Sequence, residues 1–109
     1  MIKIGMTHTV EKTVTPDMTA KAVGSGGLEV FGTPYMLGLM ECAAMWCVQN
    51  ELPEGKGTVG VNISANGKMI TFKVTASDAE GLIGEGIHTR AVIDNARFLQ
   101  KCNEKLARM

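Results

Sequence analysis

Aromatic side chains are scarce in this sequence, with one Trp, one Tyr and three Phe among 109 residues. That excludes a nucleic-acid binder that stacks bases on aromatic platforms. An excess of either charge is missing as well, because eleven basic and eleven acidic residues cancel to a formal net charge of zero. A neutral chain lacks the electrostatic footprint needed to follow a phosphate backbone or coat an anionic bilayer, so neither nucleic acid nor membrane is expected as a partner. Long apolar runs are absent. The longest, Tyr35–Val48, is interrupted by Glu41 and falls short of the roughly 20 residues of a membrane span. The N-terminus, MIKIGMTHTVEK, has no apolar core of a secretory signal. Three cysteines, Cys42, Cys47 and Cys102, form no CxxC and no even set, so a reduced, cytoplasmic protein is expected. His8 and His88 stand far apart with no HxH, HxxxH or Cys–His cluster, and no metal is expected.

What remains is an ordinary globular composition, 45% hydrophobic and 20% charged, with thirteen Gly and eight Met. Residues 1–109 read as one domain, since the length is below the roughly 150 residues of a typical one. Thr7–Val14 is β-branched and loosely alternating, which predicts a first strand. Asp17–Val23 suits a short helical turn, and Leu28–Phe31 a brief second strand. Thr33 is the expected cap of a long helix, with Pro34 in its first position and no breaker until Pro53. That helix has almost no polar face, so it must be covered on all sides. Three β-rich runs follow: Thr58–Ser64, Lys68–Ser77 and Leu82–Asp94. Asn66-Gly67 is a strong hairpin signal between the first two, and Asp78–Gly81 separates the last two, so all three are expected as antiparallel neighbours. Arg97–Arg108 predicts a terminal amphipathic helix with Phe98, Leu99, Cys102 and Leu106 on one side. A sheet of about five strands wrapped around one apolar helix satisfies this pattern, giving the α+β class and hotdog architecture. One such sheet covers only part of the helix, so a homodimer is expected.

Glu41 is the most informative residue, a carboxylate among Leu37, Met40, Cys42 and Met45. Burial there is costly unless the group is paired, protonated or beside a polar cleft. The start of the helix offers N–H groups, at Tyr35 and Met36, to a polarised carbonyl or oxyanion. Thr33 and Glu41 lie about 12 Å apart along the helix, so they border one pocket at most without touching. In the last strand Gly84, Gly86, His88 and Arg90 share one face. Taken alone, His88 reads as a structural hydrogen-bonding group. Arg90 suits a surface ion pair and an anion site equally well.

The segments VFGTPYMLGLMECAA (Val30–Ala44), LPEGKGTVGVNIS (Leu52–Ser64) and ITFKVTASDAEGLIGEGIHTRAVID (Ile70–Asp94) resemble the hotdog acyl-CoA thioesterases related to fluoroacetyl-CoA thioesterase. The resemblance implies hydrolysis of a small acyl-CoA thioester in a pocket at a dimer interface, with no cofactor beyond the coenzyme A thioester that is the substrate. It implies catalytic roles for Thr33 and Glu41 and places Gly60 and Arg90 at the site, beside the helix-start residues Tyr35 and Met36. It also marks a departure. Gly67 stands where the family pattern has a catalytic His, and a loop and a strand seem cut out after Ala65, which predicts a chain break between Ser64 and Asn66. A noncatalytic acyl-thioester-binding or purely structural dimer lacking that His is the competing expectation.

Overall fold

The computed structural model describes residues 2–61 and 69–108. Five regular elements follow one 3₁₀ turn at Pro16–Met18: helix α1 (Thr33–Gln49), strands β1 (Lys56–Val61), β2 (Met69–Asp78) and β3 (Gly81–Asp94), and helix α2 (Asn95–Ala107). Helix α1 presents Met40, Ala44 and Val48, spaced by four, to the sheet, where all three are buried. Its remaining surface is less well covered than an all-apolar helix requires, for Leu37 is 50% and Trp46 46% exposed. In β2 burial alternates, with Ile70, Phe72, Val74 and Ala76 turned towards the helix and the residues between them towards solvent.

The sheet order is β1-β3-β2, both outer strands running antiparallel to β3. The expected pairing of the first two β-rich runs is therefore wrong, because β3 lies between them, and the described sheet has three strands where about five were expected. β1 and β2 are parallel to each other. Parallel strands normally need a crossover of about a dozen residues or more, whereas only residues 62–68 separate this pair. The predicted hairpin at Asn66-Gly67 and the predicted break between Ser64 and Asn66 lie outside the described residues. The β2–β3 turn agrees with expectation: Gly81 sits at φ 133°, a conformation that favours Gly.

Thr7–Val14 is not a strand. No described strand lies beside it, and β propensity without a ladder partner does not make a sheet. Leu28–Phe31 is likewise no strand. It folds back on Thr19–Lys21 through one bridge, Thr19 to Phe31, with the Ala20 and Lys21 amides donating to the Val30 and Leu28 carbonyls. This loop anchors the start of α1. The Gly32 amide donates to the Met18 carbonyl at 2.9 Å, and a Cβ on Gly32 would come within 3.2 Å of Ala20 N and Met18 O. Gly32, not Thr33, is the N-cap, and no side chain caps the helix; backbone contact leaves no room there for a capping side chain. At the other end Asp94 caps α2 by accepting from the Arg97 amide at 3.1 Å. No helix among the described residues is long and apolar enough to cross a membrane.

Candidate active site

A cleft of about 510 Å³ opens where the first half of α1 crosses β1 and β3, lined among others by Met36, Met40, Glu41, Gly60, Gly86 and His88. Its floor is built by β3. Period-two alternation places Gly84, Gly86, His88 and Arg90 on the helix-facing side, and the two glycines leave that surface bare. Met36 fills part of the space, its Cε 2.9 Å from where a Gly84 Cβ would stand.

Arg90 is the anchor of the site. Its side chain is 8% exposed, which corrects the surface ion-pair alternative. The guanidinium donates from Nε to Thr58 Oγ1 and from Nη2 to the Thr58 carbonyl, both at 2.8 Å. Its Nη1 lies 3.2 Å from His88 Nε2 and 3.8 Å from Glu41 Oε2. Register explains the arrangement, since Arg90 faces Gly60 across the ladder and Val92 faces Thr58, so the long side chain runs diagonally to Thr58 and returns its far nitrogen to the cleft. Burial lowers the Arg90 pKa and the Glu41 carboxylate opposes that shift, but an Arg stays charged.

Glu41 is not enclosed in the helix core. Its side chain is 52% exposed, so the carboxylate borders the cleft, and it needs no burial penalty to exist there. Gly60 sets the spacing. A Cβ built on it would lie 3.1 Å from Glu41 Oε2 and 3.1 Å from His88 Cε1, so the carboxylate and the imidazole converge over a backbone that carries no side chain. His88 makes the expected hydrogen bond, to Arg90, and also lines the cleft. The signal was legible in the GxGxHxR spacing, which puts His88 and Arg90 on the bare face together. Burial and, secondly, the Arg90 charge push its pKa below the usual imidazole value, with Glu41 pulling the other way.

The helix start is arranged differently from expectation. The Met36 amide is taken by the Gly32 carbonyl at 3.0 Å, so of the two anticipated donors it is not free for a ligand. Met36 contributes its side chain to the cleft instead. Tyr35 lies outside the cleft lining, its ring 6.4 Å from that of Phe31. Thr33 is exposed at the first turn, also outside the lining. Among the described residues no group of three metal-ligating side chains occurs, and Cys42, Cys47 and Cys102 are free thiols.

Comparison with known proteins identifies the family and the fold. The family model of the fluoroacetyl-CoA-specific thioesterases matches residues 14–66 and 63–96. The fluoroacetyl-CoA thioesterase of Streptantibioticus cattleyicolor is 32% identical over 98 residues, spanning 71% of this chain and 70% of the relative. A solved variant of a fluoroacetyl-CoA thioesterase in complex with fluoro-acetate superposes with a TM-score of 0.84 at 27% identity, over 95% of this chain and 98% of that one. A hot-dog-like protein from Thermanaerovibrio acidaminovorans shares the fold, at 21% identity with a TM-score of 0.73 over 91% of each chain. The fold is thus the expected α+β hotdog. The family model matches in two pieces that meet at residues 63–66, and a 98-residue match takes up only 71% of 109 residues. Part of the relative's matched stretch therefore has no counterpart in this chain.

Proposed function

Because the chain belongs to the fluoroacetyl-CoA-specific thioesterase family, we propose that it is an acyl-CoA thioesterase whose cleft hydrolyses a small acyl thioester. The observation that carries this reading is the convergence of Glu41 and His88 over Gly60, with the buried Arg90 guanidinium 3.8 Å behind the carboxylate. The cleft volume, about 510 Å³, suits a small acyl group and its thioester. Gly86, beside which nothing stands within 4 Å, leaves the cleft floor open for a flat thioester within reach of the carboxylate. Glu41 acts as general base: it takes a proton from water as the oxygen attacks the carbonyl carbon, the C–S bond then breaks, and the departing thiolate recovers that proton. Arg90, 3.8 Å away, holds the Glu41 side chain in place. Thr33, at the exposed start of α1, meets the portion of the substrate that extends out of the cleft, and the free end of the helix, at Tyr35, favours its negative charge.

A second copy completes the unit. Leu37 and Trp46 leave apolar surface of α1 uncovered, and β1 and β2 are the two edges of the described sheet, so a homodimer that places the cleft at its interface buries what one protomer exposes. Free thiols suit a reducing, cytoplasmic setting.

Thiol release from a panel of short acyl-CoA esters, fluoroacetyl-CoA included, tests the proposal. Turnover by the parent and a fall in kcat of about 10³-fold in Glu41→Gln are expected. No turnover of any ester, or an unimpaired Glu41→Gln protein, overturns it. The missing segment, with the His that the family pattern carries, favours one rival, binding without hydrolysis; calorimetric binding of acyl-CoA with no thiol release is its mark.

A further inference from the structure

Beside Glu85, which this mechanism does not use either, the cleft holds one unused hydrogen-bonding ring, His88. His88 lies on β3 between Gly86 and Arg90, and the other histidine, His8, is exposed in the N-terminal segment. An Arg guanidinium only donates hydrogen bonds, so the 3.2 Å contact makes His88 Nε2 an acceptor and leaves the proton of the neutral ring on Nδ1. Nδ1 has no hydrogen-bond partner among the described residues, and it is not buried. The helix-start amides do not serve the cleft, the Met36 N–H being occupied and Tyr35 lying outside the lining. A thioester bound in the cleft therefore meets a base, Glu41, and one uncommitted donor, His88.

Resting on the thioesterase reading above, we propose that His88 is a catalytic residue that donates its Nδ1–H to the carbonyl oxygen of the bound thioester and stabilises the charge that develops there. The ring serves as a neutral electrophile and not as a base, and no proton leaves it. Two physical effects favour that role. The Arg90 N–H polarises the imidazole and strengthens the opposite N–H as a donor. Burial and the adjacent cation keep the ring unprotonated near neutral pH against the opposing pull of Glu41; Glu85, which also lines the cleft, is the remaining charged group beside it.

Side-chain amides separate the possibilities. Asn places an N–H where His carries Nδ1, Gln reaches only the Nε2 position, and Ala supplies neither. Steady-state thiol release should show His88→Asn within about tenfold of the parent in kcat, with His88→Gln and His88→Ala lower by 10²-fold or more. The acid-side fall in kcat of the parent, set by ring protonation, should move to lower pH in His88→Asn. Calorimetric binding of the CoA product and circular dichroism confirm that each variant is folded. His88→Asn as impaired as folded His88→Ala means that the ring itself must carry a proton, and it overturns the donor role. Parent-like kcat in His88→Ala overturns any catalytic role for this residue while leaving the thioesterase reading intact. A parent without turnover overturns both together.

Discussion

The two ends of helix α1 border two different cavities. Towards its start lies the cleft of about 510 Å³ with Glu41, His88 and Gly60. Towards its end lies a larger space, about 840 Å³, between the N-terminal residues Ile2–Met6 and an apolar wall that includes Cys47, Val48, Leu52, Ile70 and Phe72. The larger cavity is where the N-terminal segment crosses the sheet loosely, with Ile4 fully exposed. Its charged groups, among them Lys56 and Asp94, pair with each other at the rim, 3.3 Å apart, and do not point at a common spot. The smaller one is shaped by a single buried Arg90 that reaches two polar partners lining one space. Volume reports how loosely a chain packs, and chemistry follows from which polar atoms converge.

Substitutions on either side sharpen that contrast. The largest effect is expected from Arg90→Met, which leaves the Thr58 hydroxyl and carbonyl without their donor and releases Glu41 and His88. Stability measured by urea denaturation should fall by about 1–3 kcal/mol, and kcat by roughly 10²-fold. Gly60→Ala comes next. Its Cβ would sit 3.1 Å from both Glu41 Oε2 and His88 Cε1, so the pair must part by a few tenths of an ångström and kcat should drop about tenfold. Gly84→Ala, which meets the flexible ends of Met36 and Met40, should change KM and spare kcat; equal losses in the two variants would show that the spacing over Gly60 is unimportant. At the other end Val48→Ala should cost about 2 kcal/mol, because Val48 is 1% exposed, with kcat unchanged. The smallest effect is a pH slope. The lowered pKa of His88 favours the neutral ring in the fold, so its contribution is complete above the unfolded value of about 6.5 and is lost as pH falls through the lower, folded value. Denaturation midpoints of the parent relative to His88→Asn should therefore decline across that acidic interval and stay level above it.

Much of this was legible before any coordinates. The long helix, the β2–β3 hairpin, the terminal helix and the family pattern each rest on local signals: periodicity, a Gly-containing turn, a fixed order of short motifs. Glu41 stood out because a carboxylate in an apolar helix demands a reason, and the reason turned out to be a cleft edge and not burial. What escaped the sequence was relational. Thr7–Val14 has strand composition, but a strand exists only with a neighbour to pair with. Thr33 has the chemistry of a cap, but the backbone of Met18–Ala20 presses against Gly32 and moves the cap one residue earlier. Asn66-Gly67 marks a hairpin locally, yet the register of β3 with both flanking strands shows that the runs on either side of it do not pair. His88 reads as structural in isolation; the GxGxHxR spacing puts it on the bare face with Arg90, and the fold adds that this face lines the cleft.

The position of β3 also governs the order in which the molecule assembles. Its hairpin with β2 closes over Asp78–Gly81, a local contact of the kind that forms in about 1–10 μs. Pairing with β1 joins Lys56 to Asp94 and must wait for a longer loop to close. Among the described residues, Thr89, Arg90 and Ala91 are those of β3 paired on both sides, so their amides should exchange with deuterium among the slowest in the chain. Folding consequently delivers Arg90 to Thr58, and with it the alignment of Glu41 over Gly60, in the last cooperative step. A chain released with the hairpin made but β1 undocked has its helix and two of its strands and no functional cleft.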